Sequence, residues 1–124
     1  MNARETRPNL YCVEIRTNRW DTMVQWYRQT LGLRVLVRVV EDGYALIEAG
    51  ETRIALLSRE QITEPNSRWS LGFEVDNLTK LVLQLEAART EFHAPRRHEE
   101  GFNEILTADP DGNVIRLFSW PDAR

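Results

Sequence analysis

Glu14 and Arg16 stand two residues apart in the run from Leu10 to Thr17, on the side that also carries Cys12; Tyr11, Val13 and Ile15 occupy the other side. Side chains two apart on a strand share a face, so an acid and a base are presented together. The same alternation groups Arg53, Ala55 and Leu57, then Ser70, Gly72 and Glu74, then Val114, Arg116, Phe118 and Trp120. Arginine offers a planar fork of donors for a carboxylate or phosphate. Glu14 and Glu74 are candidate general bases, and Phe118 and Trp120 offer flat apolar walls. Ala55 and Gly72 leave room between them. The mixture suits a semi-polar ligand, anionic or aromatic.

Other chemistries lack their residues. There is no Ser–His–acid set, phosphate-binding loop or zinc-ligand spacing. His93 and His98 fall near a weakly strand-like stretch and read as surface residues. Cys12 is the one cysteine, which rules out an intrachain disulfide, fits a reducing compartment and reads as a small buried hydrophobe. The net charge of −3, with signs interspersed, gives no basic field to gather nucleic acid. Met1 to Pro8 has no signal-type apolar stretch, and no run is long enough to span a bilayer. The expectation is a cytoplasmic protein without membrane contact.

Periodicity defines the elements that position these residues. The 124 residues, 42% hydrophobic and 28% charged, have the balance of one globular domain. Residues 1–8 read as a loose arm and 9–124 as the domain. After the strand from Leu10 to Thr17, Asp21 is a candidate N-cap. Met23, Trp26, Tyr27, Thr30 and Leu31 recur at helical spacing, with Gly32 as the C-cap. Strands are predicted over 33–40, 44–48 and 52–58, and Arg59 to Arg68 reads as a linker. The order then restarts. Trp69 to Val75 is a strand, and Leu78, Leu81, Val82, Leu85 and Ala88 mark an amphipathic helix capped by Asp76 or Asn77. Phe92 to His98 is a weaker strand, and Phe102 to Thr107 and Asn113 to Trp120 flank the turn Asp109-Pro110-Asp111-Gly112.

Two modules, 10–58 and 69–120, therefore repeat one element order. Ile15 matches Phe73 and Tyr44 matches Phe102 at a shift of 58, whereas Leu56 and Ser58 match Leu117 and Ser119 at a shift of 61.

With this duplication, two short motifs make the chain similar to the vicinal oxygen chelate superfamily, the glyoxalase, bleomycin-resistance and dioxygenase family. They are Trp26-Tyr27-Arg28-Gln29-Thr30-Leu31-Gly32-Leu33 and Asp109-Pro110-Asp111-Gly112-Asn113-Val114-Ile115 followed by Arg116-Leu117-Phe118. The resemblance spans Leu10 to Trp120. It implies an α+β fold in which two βαβββ modules form a cup-shaped, mostly antiparallel sheet with the helices outside. The alternating sets above would line the inner face. In the family's metalloenzymes one residue from the first and last strand of each module binds a divalent cation. Carried over, those positions are Cys12, Ala55, Ser70 and Arg116. Alanine has no donor, neutral serine is a poor one, and arginine stays protonated. No metal and no other cofactor is therefore expected. A register shifted by two residues would instead offer Glu14 and Glu74 as hard ligands.

Three readings follow. The first is a metal-free small-molecule binding protein, its ligand held by Glu14, Arg16, Arg53, Glu74, Arg116, Phe118 and Trp120. The second is an enzyme of the superfamily (lyase, isomerase or dioxygenase-like) that works without metal, with Glu14 or Glu74 as base and Arg116 or Arg53 stabilising an anion. The third is a metalloenzyme with displaced ligands. A plainer alternative stands beside them: charges on an open sheet pair with one another or are solvated. Trp69 and Trp120, at strand ends, suit a homodimer seam as well as a ligand wall.

Overall fold

Alternating β-branched and apolar residues build the strands, and amphipathic segments build the helices that cover them. The computed structural model describes residues 6–62, 68–97 and 101–120. Its first module comprises β1 (Cys12–Thr17), α1 (Trp20–Gln25), β2 (Val35–Val39), β3 (Tyr44–Ala49) and β4 (Thr52–Ser58). The second comprises β5 (Leu71–Glu74), α2 (Leu78–Ala87), β6 (Arg96–Arg97), β7 (Asn103–Ala108) and β8 (Val114–Ser119). The strand orders are β1-β4-β3-β2 and β5-β8-β7-β6. In each sheet the first pair is parallel and the other two are antiparallel. This is the expected α+β pair of βαβββ modules, realised as two open four-stranded sheets rather than one continuous sheet.

The helices cover one face of each sheet. Trp20, Met23, Val24 and Tyr27 join Ala45, Ile47, Ile54 and Leu56 in the core, together with Leu78, Leu81, Leu85, Ile105, Ile115 and Leu117. Leu78, Leu81 and Leu85 are one helical face, and Asn77 caps α2 by accepting from the Lys80 amide at 3.0 Å. Asp21 is not the cap of α1. The helix starts at the buried Trp20, the residue before it is Arg19, and Thr17 Oγ1 accepts the Arg19 amide at 2.9 Å. Asp21 instead sits in the first turn, 3.2 Å from Arg38. The helix continues over Trp26–Thr30 as a π-helical turn, and Gln84 donates to the Thr30 carbonyl at 2.7 Å from the other module.

A second link joins the modules. The Tyr27 hydroxyl donates to Asp109 Oδ2 at 2.7 Å, and the same carboxylate accepts from the amides of Asp111 and Asn113 and from Asn113 Nδ2. Burial first, then the Asp109 charge and hydrogen bond, hold the Tyr27 phenol far above its ordinary pKa. The Asp109-Pro110-Asp111-Gly112 turn is thus an inter-module latch as well as a hairpin turn.

The duplication holds, with one register correction. Ile15 lies opposite Leu56 and Phe73 opposite Leu117, as the repeat requires. However, Tyr44 faces Leu57 whereas Glu104, not Phe102, faces Phe118. Two extra residues after Gly101 move the register, so Tyr44 corresponds to Glu104. The expected strand over Phe92 to His98 shrinks to an isolated Phe92–Thr107 bridge and the two residues of β6. His98, part of the linker and the first five residues of the expected arm lie outside the described residues.

Candidate functional site

Strand register decides which side chains face away from the helices. On the first sheet these are Cys12, Glu14 and Arg16 of β1, paired in register with Arg53, Ala55 and Leu57 of β4. On the second they are Gly72 and Glu74 of β5, paired with Arg116 and Phe118 of β8, and then Leu106 and Glu104 of β7. The two sets occupy matching positions in the repeat.

The first set is largely self-satisfied. Glu14 and Arg16 approach to 3.6 Å with both side chains about half exposed, an ion pair of little energetic weight. The Arg53 guanidinium lies 4.5 Å from the centre of the Tyr11 ring. Cys12 is half-buried rather than a core residue. The Tyr44 phenol is held above its usual pKa, by lost hydration first and then by Tyr11, Cys12 and Glu14.

The second set is more built. Arg116 Nε donates to Glu104 Oε2 at 2.9 Å and Nη2 donates to the same oxygen, while Glu104 Oε1 lies 3.5 Å from Arg96. Phe102, Phe118 and Trp120 form an edge-to-face triad with centroids 5.4 to 5.8 Å apart. The Arg116 guanidinium lies 6.0 Å from the Phe118 ring. Sequence reasoning missed Glu104, Phe102 and Arg96. The alternation Phe102-x-Glu104-x-Leu106 was the available signal, but its alignment with β8 depends on the turn.

A groove of about 960 Å³ opens between β1 and β5, each an edge strand of its sheet. Glu14, Arg16 and Ser70 line it, together with exposed Leu10, Ile62 and Trp69. Arg53, Glu74, Arg116, Phe118 and Trp120 do not, so the expected site residues divide between the groove, the first sheet at Arg53 and the open face of the second sheet.

The positions that the resemblance would assign to a divalent cation do not carry suitable donors. Ala55 is buried and has no donor atom, and Arg116 brings a fixed positive charge already bonded to Glu104. Among the described residues no group of three or more His, Cys, Asp or Glu could hold a metal ion, and Glu14 and Glu74 belong to none. His93 is exposed, and its backbone amide donates to Leu106.

Two repeated βαβββ modules, helices on one face and polar and aromatic side chains on the other, define a paired-module cup fold. The chain belongs to the Glyoxalase/Bleomycin resistance protein/Dioxygenase superfamily, whose model matches residues 10–117. It is 28% identical over 120 residues to the uncharacterized protein YraH of Bacillus subtilis, covering 86% of this chain and 94% of that one. Its fold is similar to that of an integron cassette protein from a sewage-outfall metagenome, with a TM-score of 0.76 and 16% identity over 90% of this chain and 97% of that one. It is also similar to the lactoylglutathione lyase of Agrobacterium tumefaciens, with a TM-score of 0.70 and 15% identity over 91% and 94% of the two chains. Among the described residues no helix is long and apolar enough to cross a membrane.

Proposed function

We propose that this chain is a metal-free small-molecule binding protein that holds a semi-polar ligand, anionic or aromatic, against the open face of its sheets. The observation that carries this reading is Arg116. By the resemblance it corresponds to a cation-ligand position of the family's metalloenzymes; it is fixed by Glu104 and adjoins Phe118. A cation placed there would meet a permanent positive charge, whereas an anionic oxygen would meet forked donors. Screening a compound library by thermal shift in the presence of a chelator tests the reading. Hits that survive chelation support it. Binding that appears only with a divalent ion overturns it.

One observation favours a second reading, a metal-free enzyme. Glu74 is exposed on the same face, one register step from Arg116, and has no partner among the described residues. It is placed to take a proton while Arg116 steadies the resulting anion. Turnover of a bound compound that is lost in Glu74→Gln while binding persists would select this reading.

We further propose that the protein works as a homodimer. The edge strands β1 and β5 flank a groove in which Leu10, Ile62 and Trp69, the last 75% exposed, stand beside Glu14, Arg16 and Ser70. Unpaired edges beside exposed tryptophan are surfaces that a second copy covers.

A further inference from the structure

Glu104 is 4% exposed, yet it sits on the open face of β7 opposite Phe118. A carboxylate buried to that extent needs charged or hydrogen-bonding partners. Arg116 holds Oε2 through Nε and Nη2, and Arg96 lies 3.5 Å from Oε1. Arg116 Nη1 has no acceptor among the described residues. It lies over Gly72, where an added Cβ would approach it to 3.6 Å, so the missing side chain keeps that edge of the guanidinium open. Phe118 adjoins the same guanidinium, and Trp120, 53% exposed, continues the aromatic wall outward.

We propose that Arg116, Arg96 and Glu104 form an anion site and that the ligand of this face is an aromatic monocarboxylate. The inference rests on the binding reading above and narrows it to a ligand class. The ligand's carboxylate accepts from the free Nη1 edge of Arg116, within the field of Arg96, and its ring lies along Phe118 and Trp120. One open guanidinium edge matches a singly charged group better than a phosphate. Glu104 is a positioning residue: it never touches the ligand but fixes the plane in which Arg116 presents its remaining donors.

The test is calorimetric titration of wild type, Arg116→Lys, Glu104→Gln and Trp120→Ala with 2-naphthoate, 2-naphthamide and inorganic phosphate. Wild type is expected to bind the acid at least ten-fold more tightly than the amide and to ignore phosphate. Arg116→Lys keeps the charge but loses the fork, and its preference for the acid should fall at least five-fold. Glu104→Gln is the diagnostic variant. Removing a negative charge would by electrostatics alone tighten acid binding, whereas loss of positioning weakens it several-fold. A merely structural role for Glu104 would lower the melting temperature and leave the acid-to-amide ratio unchanged. Trp120→Ala should weaken acid and amide alike, and with Arg116→Lys it carries the test if Glu104→Gln does not fold. Equal affinity for acid and amide, or an unaltered ratio in Arg116→Lys, overturns the anion site while leaving the binding reading standing. Failure of wild type to bind the acid also overturns the anion site. The binding reading itself falls only if the wider library yields no chelator-resistant hit.

Discussion

Replacing Tyr27 by Phe removes one hydroxyl from a fully buried side chain and leaves its ring in place. The hydroxyl donates to Asp109 at 2.7 Å across the two modules. Asp109 keeps three other donors, two backbone amides and Asn113 Nδ2, so its carboxylate is not stranded. The cost is therefore that of one hydrogen bond to a charged group, about 1.5 kcal/mol, and not the larger penalty of an unpaired buried charge. For a domain of this size that corresponds to a melting temperature lower by roughly 6 °C. The alkaline limb adds a second reading. The folded-state pKa of Tyr27 is raised, so the unfolded chain loses its phenolic proton near the ordinary value of about 10 while the native chain keeps it. Stability contributed by the neutral phenol is complete below that pH. It falls above it by about 1.4 kcal/mol per pH unit until the folded pKa is reached. Urea unfolding of wild type and Tyr27→Phe at pH 8 and pH 11 measures both effects. Tyr27→Phe should be less stable at pH 8, and the gap should narrow at pH 11. Equal stability at pH 8, or a gap that widens with pH, would refute the latch.

Arg116→Ala removes both donors to Glu104 Oε2 while that carboxylate stays buried, so chemical denaturation should show a loss of about 2 kcal/mol, which Arg116→Met/Glu104→Leu largely restores. The single variant should also weaken binding of a cup ligand by about 1.5 to 3 kcal/mol. Gly43→Ala should cost roughly 2 kcal/mol or more in thermal melts. Gly43 has φ +60°, and its added Cβ would stand 2.4 Å from Ser58 Cβ. Light scattering at micromolar concentration should return twice the 14.5 kDa chain mass, and a monomer mass would remove the proposed dimer.

The elements set by local signals were legible in the sequence. The alternation of β1, β4 and β8 predicts their faces correctly, the 3.6-residue period and Asn77 place α2, and Asp109-Pro110-Asp111-Gly112 marks its hairpin. What escaped depended on distant partners. Asp21 has the chemistry of a cap, but burial of Trp20, whose indole donates to the Leu56 carbonyl, starts the helix earlier. The match of Tyr44 to Phe102 failed because two residues inserted beyond Gly101 reset β7 against β8. The same shift hid the pairing of Glu104 with Arg116, which couples residues twelve apart through a hairpin whose register only the turn determines. Arg116 itself was identifiable from its place in the last strand, but its acid partner lies on β7.

The most direct test of the central claim is a map of amide chemical-shift changes on adding a library hit in the presence of a chelator. The account predicts shifts concentrated at Gly72, Glu74, Glu104, Arg116 and Phe118, unchanged when zinc or manganese is later supplied. Shifts that appear only once the metal is added, or that fall on the helices instead, would contradict it.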